Sequence, residues 1–187
     1  MAAVVFLDAN VLYPAALRDV LIQLGLAGLI EPHWSDQVHD EWICALLRMR
    51  HDLSPTALQR TREMMDQALP GANIGTVTVG ETVTVLPDPN DRHILAGAVA
   101  SSANLILTFN IRDFPGSALE PHGLAAVHPD HFLSLLMVAA PAEFTTAVQT
   151  VRARLRREIT VSEYLAGLTR IGLPLLAEEL RKHADDL

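Results

Sequence analysis

The chain has 187 residues, half of them hydrophobic, a net charge of −8 at neutral pH and one cysteine, Cys44. That length suffices for one domain with a sizeable core and a small addition. The composition excludes a disordered tail, the charge argues against broad adhesion to nucleic acid, and the lone cysteine excludes an internal disulfide or a Cys-built zinc site. A reducing cytoplasm is the expected setting. The start, MAAVVFLDAN, lacks the basic and long apolar regions of a signal peptide, and the longest apolar stretch, residues 132–142, is too short to span a bilayer. Of the 14 basic residues 13 are Arg, which suits bidentate phosphate contacts or reflects base composition.

Residues 3–7, AVVFL, form a continuous apolar run ending at Asp8. This pattern predicts a buried central strand with a carboxylate at its carboxyl end. A helix is expected over 14–29, and a short strand over 32–34. Ser35 suits the N-cap of a helix over 36–51, whose stripe is Val38, Trp42, Ala45, Leu46 and Met49. Glu41 falls on or beside that stripe, a costly place for an unpaired charge. Cys44 reads as core. Ser54-Pro55 caps a helix running to about residue 69. Residues 76–86 are rich in Thr and Val and should hold a strand over 83–86.

The most informative stretch is LPDPNDRHILAGAVASSANLILTFNIRDFP, residues 86–115. Pro87 and Pro89 exclude helix before Asn90. Asn90 can cap the following helix, with Asp91 in its first turn. The small residues Ala96, Gly97, Ala98 and Ala100 let another element approach closely. Residues 105–108 then form a buried strand, followed by Asn110, Arg112 and Asp113. A strand over 124–127 and a helix over 130–139 complete the alternation, which predicts an α/β fold with a parallel sheet.

Residues 141–187 carry no strand signal. Pro141 opens one helix, holding Arg152, Arg154, Arg156 and Arg157. Thr160 with Glu163 forms a capping box for a second, and Gly172-Leu173-Pro174 breaks to a third. The expected organisation is an α/β domain over 1–140 and a helical extension over 141–187. The arginine cluster reads first as a solvated face and second as an RNA or partner contact.

Asp8, Glu41, Asp91, Asn110 and Asp113 all fall at or near element ends that a parallel sheet gathers at one edge. Several carboxylates there repel one another unless some are protonated or they hold a divalent cation. Oxygen donors suit Mg²⁺ or Mn²⁺, which can activate water and stabilise charge on a phosphoryl oxygen. Arg92 and Arg112 flank the acidic positions and suit phosphate contacts.

The segments FLDANVLY, SDQVHDEW and the 86–115 block resemble the PIN-domain ribonucleases, in particular the bacterial toxin-like VapC type with a C-terminal helical extension. The resemblance covers residues 4 to about 136. It implies a three-layer α/β/α fold and a Mg²⁺- or Mn²⁺-dependent endoribonuclease, often a toxin inhibited by an antitoxin protein, and commonly a homodimer. Asp8, Glu41 and Asp91 match the first three acids of that family. The fourth position carries Asn110, with Asp113 three residues on, so either can serve there. Together Asp8, Glu41, Asp91 and Asp113 are the expected metal ligands. Asn10 and Thr108 are expected beside metal or substrate. Two alternatives stand next to this reading: a phosphotransferase using Asp8 as nucleophile, and a non-catalytic PIN-like module that binds RNA or protein.

Overall fold

The computed structural model describes residues 2–80 and 86–187. Among the described residues four parallel strands form the central sheet, in the order β2-β1-β3-β4. They are β1 (Ala3–Leu7), β2 (Ile30–His33), β3 (Leu105–Leu107) and β4 (Ala125–Val127). β1 and β3 are adjacent, with Val5 opposite Leu105 and Leu7 opposite Leu107. From β1 the chain goes outward to β2 on one side, then returns to β3 on the other. The carboxyl ends of β1 and β3 therefore flank the point where strand order reverses, the usual ligand crevice of an open parallel sheet.

The helices that follow β1 are α1 (Ala9–Leu12) and α2 (Ala15–Leu26). After β2 come α3 (Asp36–Met49) and α4 (Pro55–Ala68), and before β3 comes α5 (Arg92–Ala100). Then follow α6 (Gly116–Leu119), α7 (Pro129–Ala139), α8 (Pro141–Ala153), α9 (Val161–Arg170) and α10 (Pro174–Arg181). With helices on both faces of the sheet, the fold is the expected α/β/α arrangement with C-terminal helices.

Three sequence-read caps are present. Ser35 accepts from the Val38 amide, Ser54 from Ala57, and Thr160 forms a capping box with Glu163. β1 is buried from Val5 to Leu7, as its uninterrupted apolar run requires. α5 packs on β1 through Gly97: a Cβ there would lie 2.3 Å from the Phe6 ring. The small residues of α5 thus bring its N-terminus down onto the carboxyl end of β1.

The C-terminal helices are joined to this frame. α8 packs on α2, and α10 on both α7 and α9. Asp130, buried in the first turn of α7, accepts from the amides of Leu175 at 3.0 Å and Leu176 at 2.9 Å. It satisfies donors that α10 leaves open at its start. Among the described residues no single helix is long and apolar enough to cross a membrane.

Several expectations are corrected. The helix predicted over 14–29 is shorter, Ala15–Leu26, and the second strand begins earlier, at Ile30. The helix after Ser35 ends at Met49, not at residue 51. Asn90 does not cap α5. Asp88 accepts from the Asn90 amide at 2.8 Å and winds Pro89–Asp91 into a 3-10 turn, with proline at its first position. Cys44 and Met49 are exposed, because the outer side of α3 is left uncovered. Arg154, Arg156 and Arg157 lie past the end of α8. Of the strand predicted over 83–86, residues 83–85 lie outside the described residues and Leu86 is in no strand.

Candidate active site at the sheet's switch point

Asp8 follows β1 directly and stands before the first turn of α1. It is 8% exposed. Its Oδ2 accepts from the Thr108 hydroxyl at 2.6 Å and from the Asn10 amide at 2.5 Å. Thr108 Oγ1 itself accepts from Asn10 Nδ2 at 2.9 Å and from the Asn110 backbone amide at 2.9 Å. Asn10 Oδ1 in turn accepts from the Phe109 amide at 3.1 Å. These bonds tie the ends of β1 and β3 together and fix one orientation of the Asp8 carboxylate. Burial raises its pKa above the usual carboxylate range, against hydrogen bonds that lower it, and the charge of Glu41 adds to the rise.

Asp91 ends the 3-10 turn just before α5 and is half-buried. Its pKa is pushed up to about 6, first by desolvation, then by the charges of Asp8, Asp88, Asp113 and Glu41. Four of the sequence-read acids, with Asp88 beside them, therefore share one electrostatic field. Asn110 contributes differently: its side-chain amide donates to the Asp113 carboxylate. Asp113, not Asn110, carries charge into the cluster, and Asn110 restrains it.

Glu41 is exposed on α3, contrary to the buried position that its stripe suggested. Its compensation is His93, whose Nε2 lies 2.8 Å from Glu41 Oε1. That contact joins α3 to α5 across 52 positions of sequence, so no local pattern could have shown it. A cleft of about 330 Å³ opens here, lined by Asp8, Asn10, Tyr13, Glu41 and Trp42 among others. Arg92 opens α5 with its Nε buried and, among the described residues, without a hydrogen-bond partner. Arg112 is exposed in the Ile111–Asp113 turn. Neither forms an ion pair among the described residues.

Among the described residues, no three His, Cys, Asp or Glu side chains converge closely enough to enclose an ion. The donor chemistry still fits a hydrated divalent cation. All donors are carboxylate or amide oxygens, and a cation would relieve the neighbouring charge that adds to desolvation in raising Asp91.

Beyond this cleft lies a polar cluster that the sequence reading missed. The buried His39 stands between Trp34 and Trp42. Trp42 Nε1 donates to His39 Nδ1 at 3.0 Å, so Nε2 carries the proton and donates to Asp66 at 3.0 Å. Asp66 also accepts from Trp34 Nε1 and Asn73, while Asp36 accepts from Arg62, Asn73 and Thr76. This cluster braces α3, and with it Trp42, against α4.

The fold, the switch-point cleft and its carboxylates place the chain in a class that sequence comparison identifies directly. Residues 4–112 match the family model described as PIN domain, and the chain belongs to that family. Residues 129–182 match a second model, described as the VapC50 C-terminal domain. A relative from Mycobacterium tuberculosis (strain ATCC 25618 / H37Rv), named "Putative ribonuclease VapC50", is 51% identical over 43 residues. That match covers 23% of this chain and 25% of the relative, so the chain spans about a quarter of the length of the curated relative it matches. No solved structure matched at a significant level.

Proposed function

We propose that the protein is a divalent-metal-dependent endoribonuclease that hydrolyses RNA phosphodiester bonds, and that it is the toxin component of a toxin–antitoxin pair. The observation that carries this reading is the gathering of Asp8, Glu41, Asp91 and Asp113 at the switch point of the sheet, where desolvation and then the neighbouring charges push the Asp91 pKa up to about 6. A fold accepts such repulsion where a cation or a reaction uses it. PIN-domain membership and the name of the VapC50 relative support the same reading.

In this proposal Asp8, Glu41, Asp91 and Asp113 would hold a hydrated Mg²⁺ or Mn²⁺, partly through its waters. The bound ion supplies a water of lowered pKa and neutralises charge on the phosphoryl oxygens. Thr108 and Asn10 hold the Asp8 carboxylate in place, Asn110 restrains Asp113, and His93 steadies Glu41. Arg92 and Arg112 receive the phosphates flanking the scissile bond. The proposal also takes residues 1–140 as the nuclease domain and 141–187 as its extension, with the protein acting as a homodimer in the cytoplasm. An antitoxin would inhibit it by covering the cleft.

The test is cleavage of a mixed pool of folded RNAs by wild type and Asp8→Asn, each with Mn²⁺, Mg²⁺ or EDTA. Metal-dependent cutting is expected from wild type, with a loss beyond about 10²-fold in Asp8→Asn, the scale seen when one group stabilising transition-state charge is removed. Full activity in the variant or in EDTA contradicts the proposal. Asn110, at a position usually acidic in the family, favours one runner-up, a non-catalytic module that binds RNA or protein through this edge. That reading expects binding with no metal-dependent cutting.

A further inference from the structure

A second, larger groove of about 960 Å³ adjoins the acidic cleft, and Tyr13 lines both. Its walls come from the link between α1 and α2, from α3 and α4, and from the C-terminal extension through Arg156. Among the described residues four arginines line it (Arg18, Arg50, Arg60 and Arg156), and no Asp or Glu does. In a chain with 22 acidic residues and a net charge of −8, this is a strong local reversal of sign.

The four arginines are not equivalent. Arg18 is buried, donates to the Leu12 carbonyl at 2.7 Å and stacks 4.8 Å over the Trp42 ring, so it is part of the frame. Arg50 is shared with Asp52 through two bonds of 2.8 Å. Arg60 and Arg156 are exposed and, among the described residues, have no hydrogen-bond or ion-pair partner. Between them the groove is apolar, with Leu46, Leu58 and Met64.

We infer that this groove is the path of single-stranded RNA leaving the cleft, with Arg60 and Arg156 on its phosphates and the apolar floor under unstacked bases. The inference rests on the ribonuclease reading. It gives the C-terminal extension a part in substrate binding, because Arg156 belongs to it. Unpaired guanidinium groups above an apolar surface suit a strand that offers a phosphate and a base per step. Continuity with the cleft through Tyr13 is what favours RNA over a protein occupant.

The test is binding of a labelled single-stranded RNA of about a dozen nucleotides, measured by fluorescence anisotropy across a range of salt. The protein is Asp8→Asn, so that no substrate is consumed. Adding Arg60→Ala and Arg156→Ala is expected to weaken binding about tenfold. It should also flatten the plot of log affinity against log salt by about 1.4, at about 0.7 per lost phosphate contact. Arg181→Ala with Lys182→Ala, the same change of charge at the end of α10, should leave both quantities as they were. Melting temperatures of all variants should agree. Unchanged affinity and slope in the Arg60/Arg156 variant overturn the inference, as does an equal loss in the α10 variant. So does loss of binding to a protein partner with RNA binding intact. Failure of wild type to cleave any RNA would count against the ribonuclease reading, while the binding measurement still judges the groove.

Discussion

Two groups of carboxylates lie beyond the carboxyl ends of the strands, and the protein treats them in opposite ways. Around Asp66, donors outnumber charges. Desolvation pushes its pKa up, but bonds from His39, Trp34 and Asn73 outweigh that and hold it below the usual range. Asp36 is lowered as well, first by Asn73 and then by Thr76 and Arg62, against some desolvation. Around Asp91 the balance is reversed. Asp8 has its two donors, Asp113 has Asn110 and Glu41 has His93, yet Asp91 has no side-chain donor among the described residues, and desolvation followed by the charge of its neighbours raises it. A satisfied carboxylate stabilises the fold, whereas one left among like charges is a candidate for binding, the role proposed above for Asp91.

His39→Leu removes the acceptor of Trp42 Nε1 and one donor to Asp66 in a buried setting. A loss of about 2–4 kcal/mol in urea denaturation is expected. A loss below about 0.5 kcal/mol would show that the Asp66 group is ornament to the fold, and the contrast would fail.

A smaller effect is expected in the frame that presents Asp91. Gly97→Ala forces a methyl group against the Phe6 ring, where a Cβ has 2.3 Å. A loss of about 1–3 kcal/mol should follow. Weakened cation binding should accompany it, because α5 carries Asp91. Unchanged stability would mean that α5 and β1 are not locked through this contact.

The smallest effect sharpens the contrast most. Asp91 has a folded pKa of about 6 against an ordinary value of 3.8. Below pH 3.8 both states hold the proton and Asp91 costs nothing. Between that value and about 6 the unfolded chain ionises first, so stability falls as pH rises. Above about 6 the penalty is constant. Asp91→Asn should therefore equal wild type in acid and exceed it at neutral pH in the absence of metal. Asp91 is only half-buried and solvent screens it, so the gain should stay within about 1 kcal/mol. A gap that is constant across this range would argue against the raised pKa.

Much of this was legible in the sequence, and the reasons are local. β1 and β3 are apolar runs that end at polar groups, and Ser35, Ser54 and Thr160 announce their helices by capping chemistry. Asp8 and Asp113 come together because a parallel sheet delivers strand ends to one edge, and the small residues of α5 bring Asp91, at its start, to the same edge. What was illegible depends on pairings over long separations. Glu41 could be placed on α3 but not judged exposed, since His93 is 52 positions away. The partners of Asp66 come from Trp34, His39 and Asn73, and nothing in their spacing announces a cluster. Asp130 stands in the first turn of α7, and its role appears only when α10 is folded against it. The reading of Asn90 as a cap failed for a different reason. Asp88, two residues earlier, competes for the same turn, and Pro89 favours it.

In the proposed reading the Asp91 group binds a divalent cation. The most direct measurement is the melting temperature of wild type and Asp91→Asn as Mn²⁺ is raised from zero into the millimolar range. A ligand bound only by the folded state contributes about 2.7 kcal/mol at a hundredfold excess over its Kd. For a protein of this size that is a rise of about 5–10 °C. Wild type should show that rise and Asp91→Asn should largely lose it. A flat curve for wild type, or the same rise in both proteins, would contradict the account.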